Sequence, residues 1–303
     1  MTGVILAVAR QEVRTARTNR LAMLLIGIFI GMVIVSGFIG WATHHTISSV
    51  YREALREGAT SAPDPLSAQQ PLDLIRNTVI YVILIGALSA ILLGVRSTEG
   101  DRKAGVVDLI FSRPVTSRQY ATGKLLGIQL LTGFILMIAA LVSWMVMLLI
   151  SGRGLSLADT GDLMLFFVLA WLFLFPFSAL GFILGAISRR ETSALLVPIL
   201  VWALLVFVIP QLGTAEHPVS LLNPVLARPV SQGPFFALSR RVLQPVSVTD
   251  RFRSAGAGLL RIDGADTQSH ILDWLSLAGI AAGSCAAAMF IARREIMRRP
   301  FLE

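Results

Sequence analysis

Gly123 and Lys124 come nearest to a reactive motif in this chain, because a phosphate-binding loop ends in Gly-Lys followed by Ser or Thr. That loop also needs a Gly five residues before its second Gly. The two positions are Arg118 and Leu125 here, so the chain carries no complete nucleotide-binding fingerprint. His44 and His45 could bind a metal, but no third ligand accompanies them at ligand spacing, and they read as an interfacial polar pair. Cys285 is the only cysteine and lies in an apolar stretch, which excludes a disulfide framework and fits a buried, inert thiol. Met137, Met145 and Met147 read as apolar filler rather than a copper path. With no nucleophile, base and carboxylate constellation in view, the chain reads as a non-catalytic protein.

The elements around these residues are membrane spans. The 303 residues are 55% hydrophobic and 15% charged, with a mean hydropathy of +0.74, outside the range of soluble domains. Six stretches can each cross a hydrocarbon core of about 30 Å as a helix. They are Leu21–Trp41, Thr78–Val95, Leu125–Ile150, Leu163–Ile187, Ala194–Leu212 and Leu275–Ala292. The fold class is an all-α integral membrane protein, read as one transmembrane domain over residues 1–303. None of the spans so drawn contains Asp, Glu, Lys, Arg or His, which removes support for ion-coupled transport, where such groups bind and relay the ion. Four Gly-x-x-x-Gly pairs, 27/31, 123/127, 181/185 and 279/283, read as ordinary helix packing. Pro176, Pro198 and Pro210 mark sites of kinking in or at the ends of the fourth and fifth spans.

Charge placement orients the bundle. The formal charge of +8 reflects basic residues on the cytoplasmic side rather than a nucleic-acid partner. Residues 1–20 hold four Lys and Arg, the loop 96–124 holds six, the fourth loop two and the C-terminal stretch four, whereas the short outer loops hold three and one. Both termini and the 96–124 loop are therefore expected in the cytoplasm of a cell-membrane protein, with 42–77 and 213–274 outside. Those outer segments read as a cap and as contact sites for an extracytoplasmic partner, with short helices near Tyr51–Glu57, Phe235–Leu243 and Ser269–Leu277.

Two cytoplasmic elements stand out. Residues 1–20 place Val4, Ile5, Val8, Val13 and Ala16 towards one side and Arg10, Arg14 and Arg17 on the other, the pattern of an interfacial helix with arginines towards lipid phosphates. In Glu99–Lys124, Val106, Val107, Ile110 and Phe111 recur at helical spacing. Pro114 then stops that helix, and Thr116 with Gln119 forms a capping box that starts another. The loop is a helical hairpin pinned at both ends, suited to passing movement from a docked partner into the bilayer.

This hairpin resembles the coupling segment of ABC-2 type ABC transporter permeases, whose pattern runs acidic residues, Gly, a hydrophobic stretch, Pro, a basic residue and Gly-Lys. Here those positions are Glu99 and Asp101, Gly105, Val106–Phe111, Pro114, Arg118, and Gly123 with Lys124. Arg102 lies in the same run, and Lys103 departs from the pattern, which often has an acidic residue there. The N-terminal helix and the six-span layout are also similar to that family, most of all to its copper-enzyme maturation and sodium or antibiotic efflux branch. The resemblance implies a permease subunit that binds no cofactor itself and works with a separate cytoplasmic ATPase carrying ATP and Mg. It also implies a second permease copy, as a homodimer, among the membrane lipids. Export of a substrate, or work on an extracytoplasmic partner, would follow. The competing expectation is a non-transporting scaffold or sensor that links an outer partner to a cytoplasmic protein.

Overall fold

A computed structural model describes residues 2–59, 72, 75–103, 115–151, 156–188, 190–214, 233–243, 247–262 and 270–297. Gly105, the Val106–Phe111 stretch and Pro114 lie outside the described residues, as do the side chains of Arg17, Arg102 and Lys103. The described secondary structure is helical throughout, and six helices are long and apolar enough to cross a membrane. The protein is an all-α, multi-pass membrane protein.

In chain order the helices are α1 (Thr2–Thr18) and α2 (Arg20–Arg56), then α3 (Asn77–Tyr81), which runs through a π turn at Val82–Gly86 into α4 (Ala87–Lys103). Next come α5 (Ser117–Ser151), α6 (Leu157–Ile187) and α7 (Glu191–Ala203), which passes through a second π turn at Leu204–Val208 into α8 (Ile209–Thr214). α9 (Pro234–Leu243), α10 (Val248–Leu259) and α11 (His270–Met297) complete the set. α1 and α2 meet at the single residue Asn19, whose side-chain oxygen accepts from the Ala22 amide at 3.4 Å and so caps α2. α2 does not stop at Trp41. Its 37 residues rise about 55 Å, well beyond a hydrocarbon core, and the expected short helix at Tyr51–Glu57 is the last turns of this same helix. Pro176 and Pro198 lie inside α6 and α7, which continue past them.

The second and fourth spans form the centre: 78% and 61% of their most apolar windows are buried, against 28%, 17% and 22% for the first, fifth and sixth. Glycine makes this centre tight. A side chain on Gly181 would meet the Ile91 carbonyl, one on Gly94 the Ser178 carbonyl, and one on Gly185 the Thr98 hydroxyl, so α4 and α6 approach backbone to backbone. Gly27, Gly31, Gly279 and Gly283 have open space where a side chain would go, so only two of the four glycine pairs pack within the chain.

One end of the bundle, called here the foot, gathers α1, the end of α4, the start of α5 and the end of α6. At the opposite end α10 was not anticipated from the sequence, and it inserts Phe252 against Phe173 (ring centroids 4.4 Å) and Phe166 (5.9 Å) of α6. Part of the 213–274 segment is thus core rather than cap. Arg251 of α10 pairs with Asp273 of α11 at 3.2 Å. Just past α10, Arg261 reaches Asp159 and Asp162 of α6 at 3.1 and 2.6 Å, from a backbone φ of 52°.

Candidate functional site

The foot of the bundle holds the described part of the 96–124 loop, and α5 begins there as the sequence predicts. The Thr116 amide donates to Gln119 Oε1 at 2.9 Å and the Gln119 amide to Thr116 Oγ1 at 3.3 Å, the reciprocal capping box. Starting the helix at this point fixes the phase of its first two turns. Tyr120, Gly123, Lys124 and Gly127, at spacings of three and four, then share the face that meets α1 and α4.

Lys124 is buried, with 4% of its surface exposed, and its ammonium donates two hydrogen bonds and makes a further ion pair. Nζ lies 2.5 Å from Glu12 Oε2 of α1, 2.8 Å from Asp101 Oδ2 of α4 and 2.9 Å from the Ser97 carbonyl. Asp101 Oδ2 also accepts from the Tyr120 hydroxyl at 2.7 Å. One turn back, Glu99 pairs with Arg96 at 3.3 Å. The two ends of the loop are therefore ion-paired to each other, and the N-terminal helix is tied to the same ammonium. Two carboxylates thus share one cation. Burial pushes the Glu12 carboxyl above the ordinary carboxylate range and nearby Asp101 adds to the push, while Lys124 opposes both.

Close helix contact makes the cluster possible. A Cβ on Gly123 would lie 2.7 Å from Val8 Cβ and 3.0 Å from the Ile5 carbonyl, and one on Gly127 would lie 2.6 Å from Glu12 Cβ and 2.9 Å from the Ala9 carbonyl. The 123/127 pair is thus the seat of α1. Among the described side chains of α1 the buried ones are Ala9, Glu12 and Ala16, at spacings of three and four, so its inner side rests on α5 rather than on acyl chains alone.

The sequence-predicted residues divide. Glu99, Asp101 and Lys124 lie inside the foot, with 3%, 9% and 4% of their surface exposed, engaged with each other or with Arg96, Glu12 and Tyr120. Arg118, Arg10 and Arg14 are exposed. The second and third spans as read from the sequence hold no ionisable residue, but their helices run on to Asp101 and start at Ser117, and these extensions bring Glu99, Asp101 and Lys124 into the buried foot. Glu12 was missed altogether. Its signal was available: it is the only acidic residue in a basic stretch, three residues from Ala9 and four from Ala16.

His44 and His45 join no cluster of three or more metal-ligating side chains among the described residues, and the His45 ring stacks on Trp41 at 5.5 Å. In comparisons with known proteins, a family model described as ABC-2 family transporter protein matches residues 6–290. No curated protein matches the chain.

Proposed function

Since the chain belongs to the ABC-2 transporter family and is a permease subunit of an ABC transporter, we propose that it couples ATP hydrolysis on a separate cytoplasmic ATPase to export of a substrate or to work on an extracytoplasmic partner. The observation that carries this reading is the ion pair between Asp101 and Lys124, which closes the two ends of the loop 104–114 into one unit. α4 and α5, tied this way, move together. Force applied between them passes into both helices, and from α4 into α6 through the glycine contacts at Gly94, Gly181 and Gly185.

The roles of the family-implied residues separate accordingly. In this reading the tip, with Arg102, Lys103, Gly105, Pro114 and the exposed Arg118, meets the ATPase. Asp101 and Lys124 carry the movement inward, and Glu99 stiffens the last turn of α4 through Arg96. ATP and Mg belong to the partner, the foot faces the cytoplasm in keeping with the basic residues of residues 1–20 and of the loop, and two permease copies assemble in the cell membrane.

The test is affinity capture of the tagged full chain in mild detergent beside a variant in which residues 104–113 are replaced by a Gly-Ser linker, leaving Asp101 and Lys124 in place. An ATPase that comes down with the parent and is lost with the variant supports the reading. Capture of no ATPase by either chain across several detergents overturns it in favour of a scaffold.

A further inference from the structure

The charge on α1 is sorted in a way that packing alone does not require. Its one carboxylate, Glu12, is turned inward and consumed by Lys124, while Arg10 and Arg14 are exposed on the opposite side, one turn apart. Leu6 lies one turn before Arg10 on that same side and is 57% exposed. The outer face of α1 therefore pairs exposed cations with an exposed apolar side chain. Only Asn19 separates α1 from α2, and the first span opens at Ala22, so α1 is held at the depth where a bilayer presents its headgroups. A face that offers guanidinium to phosphate and a leucine to the acyl boundary is complementary to lipid. An acidic protein surface would satisfy the arginines and leave Leu6 in a polar contact.

We propose that the outer face of α1 binds anionic phospholipid headgroups, and that Glu12 reports this binding to the loop ends through Lys124. Seating α1 on an anionic surface fixes the position of Glu12. Glu12 accepts from the ammonium that also pairs with Asp101, so the order of α1 and of the loop ends is set together. Lipid composition thereby adjusts how firmly the coupling loop is held. The functional consequence rests on the permease reading, but the binding and its transmission are measurable on this chain alone.

The experiment reconstitutes the full-length chain in nanodiscs of phosphatidylcholine with a rising share of phosphatidylglycerol, and follows amide hydrogen exchange in residues 6–16 and in 96–103 and 117–124. Protection of all three segments is expected to rise with phosphatidylglycerol. Each arginine near an anionic surface is worth about fivefold in affinity, so R10Q/R14Q should need roughly 25-fold more anionic lipid and lose the response within the accessible range. E12A should keep the response of 6–16 and lose that of 96–103 and 117–124. Equal protection in neutral and anionic nanodiscs, or an unchanged response in R10Q/R14Q, overturns lipid binding. An E12A variant that retains the response at the loop ends overturns the transmission. Loss of ATPase capture by R10Q/R14Q with its lipid response intact assigns the face to a protein and also overturns the proposal. No arm of the exchange measurement uses an ATPase, so failure of the permease reading leaves its outcome readable.

Discussion

Removing the Lys124 ammonium while keeping its bulk, K124M, tests the foot of the bundle most directly. The substitution leaves Glu12 and Asp101 buried with no cation between them, and it removes the side-chain donor to the Ser97 carbonyl. Breaking a buried ion pair by deleting one partner costs about 3–5 kcal/mol, because the remaining charge stays desolvated. At about 2 °C per kcal/mol for a chain of this size, the unfolding midpoint in detergent should fall by roughly 6–10 °C, read from the fluorescence of the five tryptophans. E12Q should behave differently. Burial already disfavours the charged form of Glu12, so a neutral amide that still accepts from Lys124 should cost no more than about 1 kcal/mol. The double variant E12Q/K124M then leaves a single buried carboxylate, and its cost should fall short of the sum of the two single costs by at least about 1 kcal/mol. The pH dependence follows from the same shift. Since the Glu12 pKa is raised in the folded state, the unfolded chain ionises first as pH rises past the ordinary value of 4.5. The Glu12 contribution to stability is fully present below that value and is lost as pH climbs to the folded-state pKa. E12Q should abolish this component of the pH profile. The reasoning is refuted if K124M melts with the parent, or if the costs at 12 and 124 add within error.

Gly127→Val should free α1 from α5, since the new side chain meets the Ala9 backbone as well as Glu12, whereas Gly27→Ala and Gly279→Ala, which face open space inside helices, should raise the melting midpoint by about 2 °C each; limited proteolysis of α1 separates the cases. At the other end, R261A loses the contacts to Asp159 and Asp162 and keeps the strained backbone, while R261G loses the contacts and relieves the strain. R261G should therefore be the more stable of the two by about 1 kcal/mol in thermal unfolding. Charge reversal at Arg102 and Lys103 should reduce capture of the ATPase without moving the melting midpoint of the isolated chain. A drop in that midpoint would place these residues in the bundle rather than at the partner.

The spans were legible because a membrane core demands about 20 consecutive apolar residues, and that demand is written locally. The restart of the helix at Thr116 was legible for a similar reason, since the capping box needs only two side chains three positions apart. What escaped was every feature that depends on a second element. α2 runs on past Trp41 because nothing in Thr43–Ser49 stops a helix, although the apolar signal that marks a span has ended. α10 is short and contains Asp250, Arg251, Arg253 and two glycines, so its composition reads as an outer loop. Phe166 and Phe173 of α6, about 80 residues or more away, supply the place for Phe252.

The same limit explains Lys124. From the sequence it is a basic residue at the end of a cytoplasmic loop, and in water such a lysine would be a surface contact of little energetic consequence. Two glycines at 123 and 127 change its surroundings, because they let α1 come close enough to cover it. Once covered, the ammonium must be neutralised, and Glu12 and Asp101 do so from two different helices. A buried pair of this kind adds little net stability compared with an apolar replacement of the same shape, yet it tolerates the loss of one partner poorly. Those two properties suit a joint more than a brace. A pull on the loop that separated Asp101 from Lys124 would uncover a charge, so α4 and α5 move together rather than part, and α1 moves with them. In the proposed coupling, the side chains that face inward at the foot therefore matter as much as those that would face an ATPase.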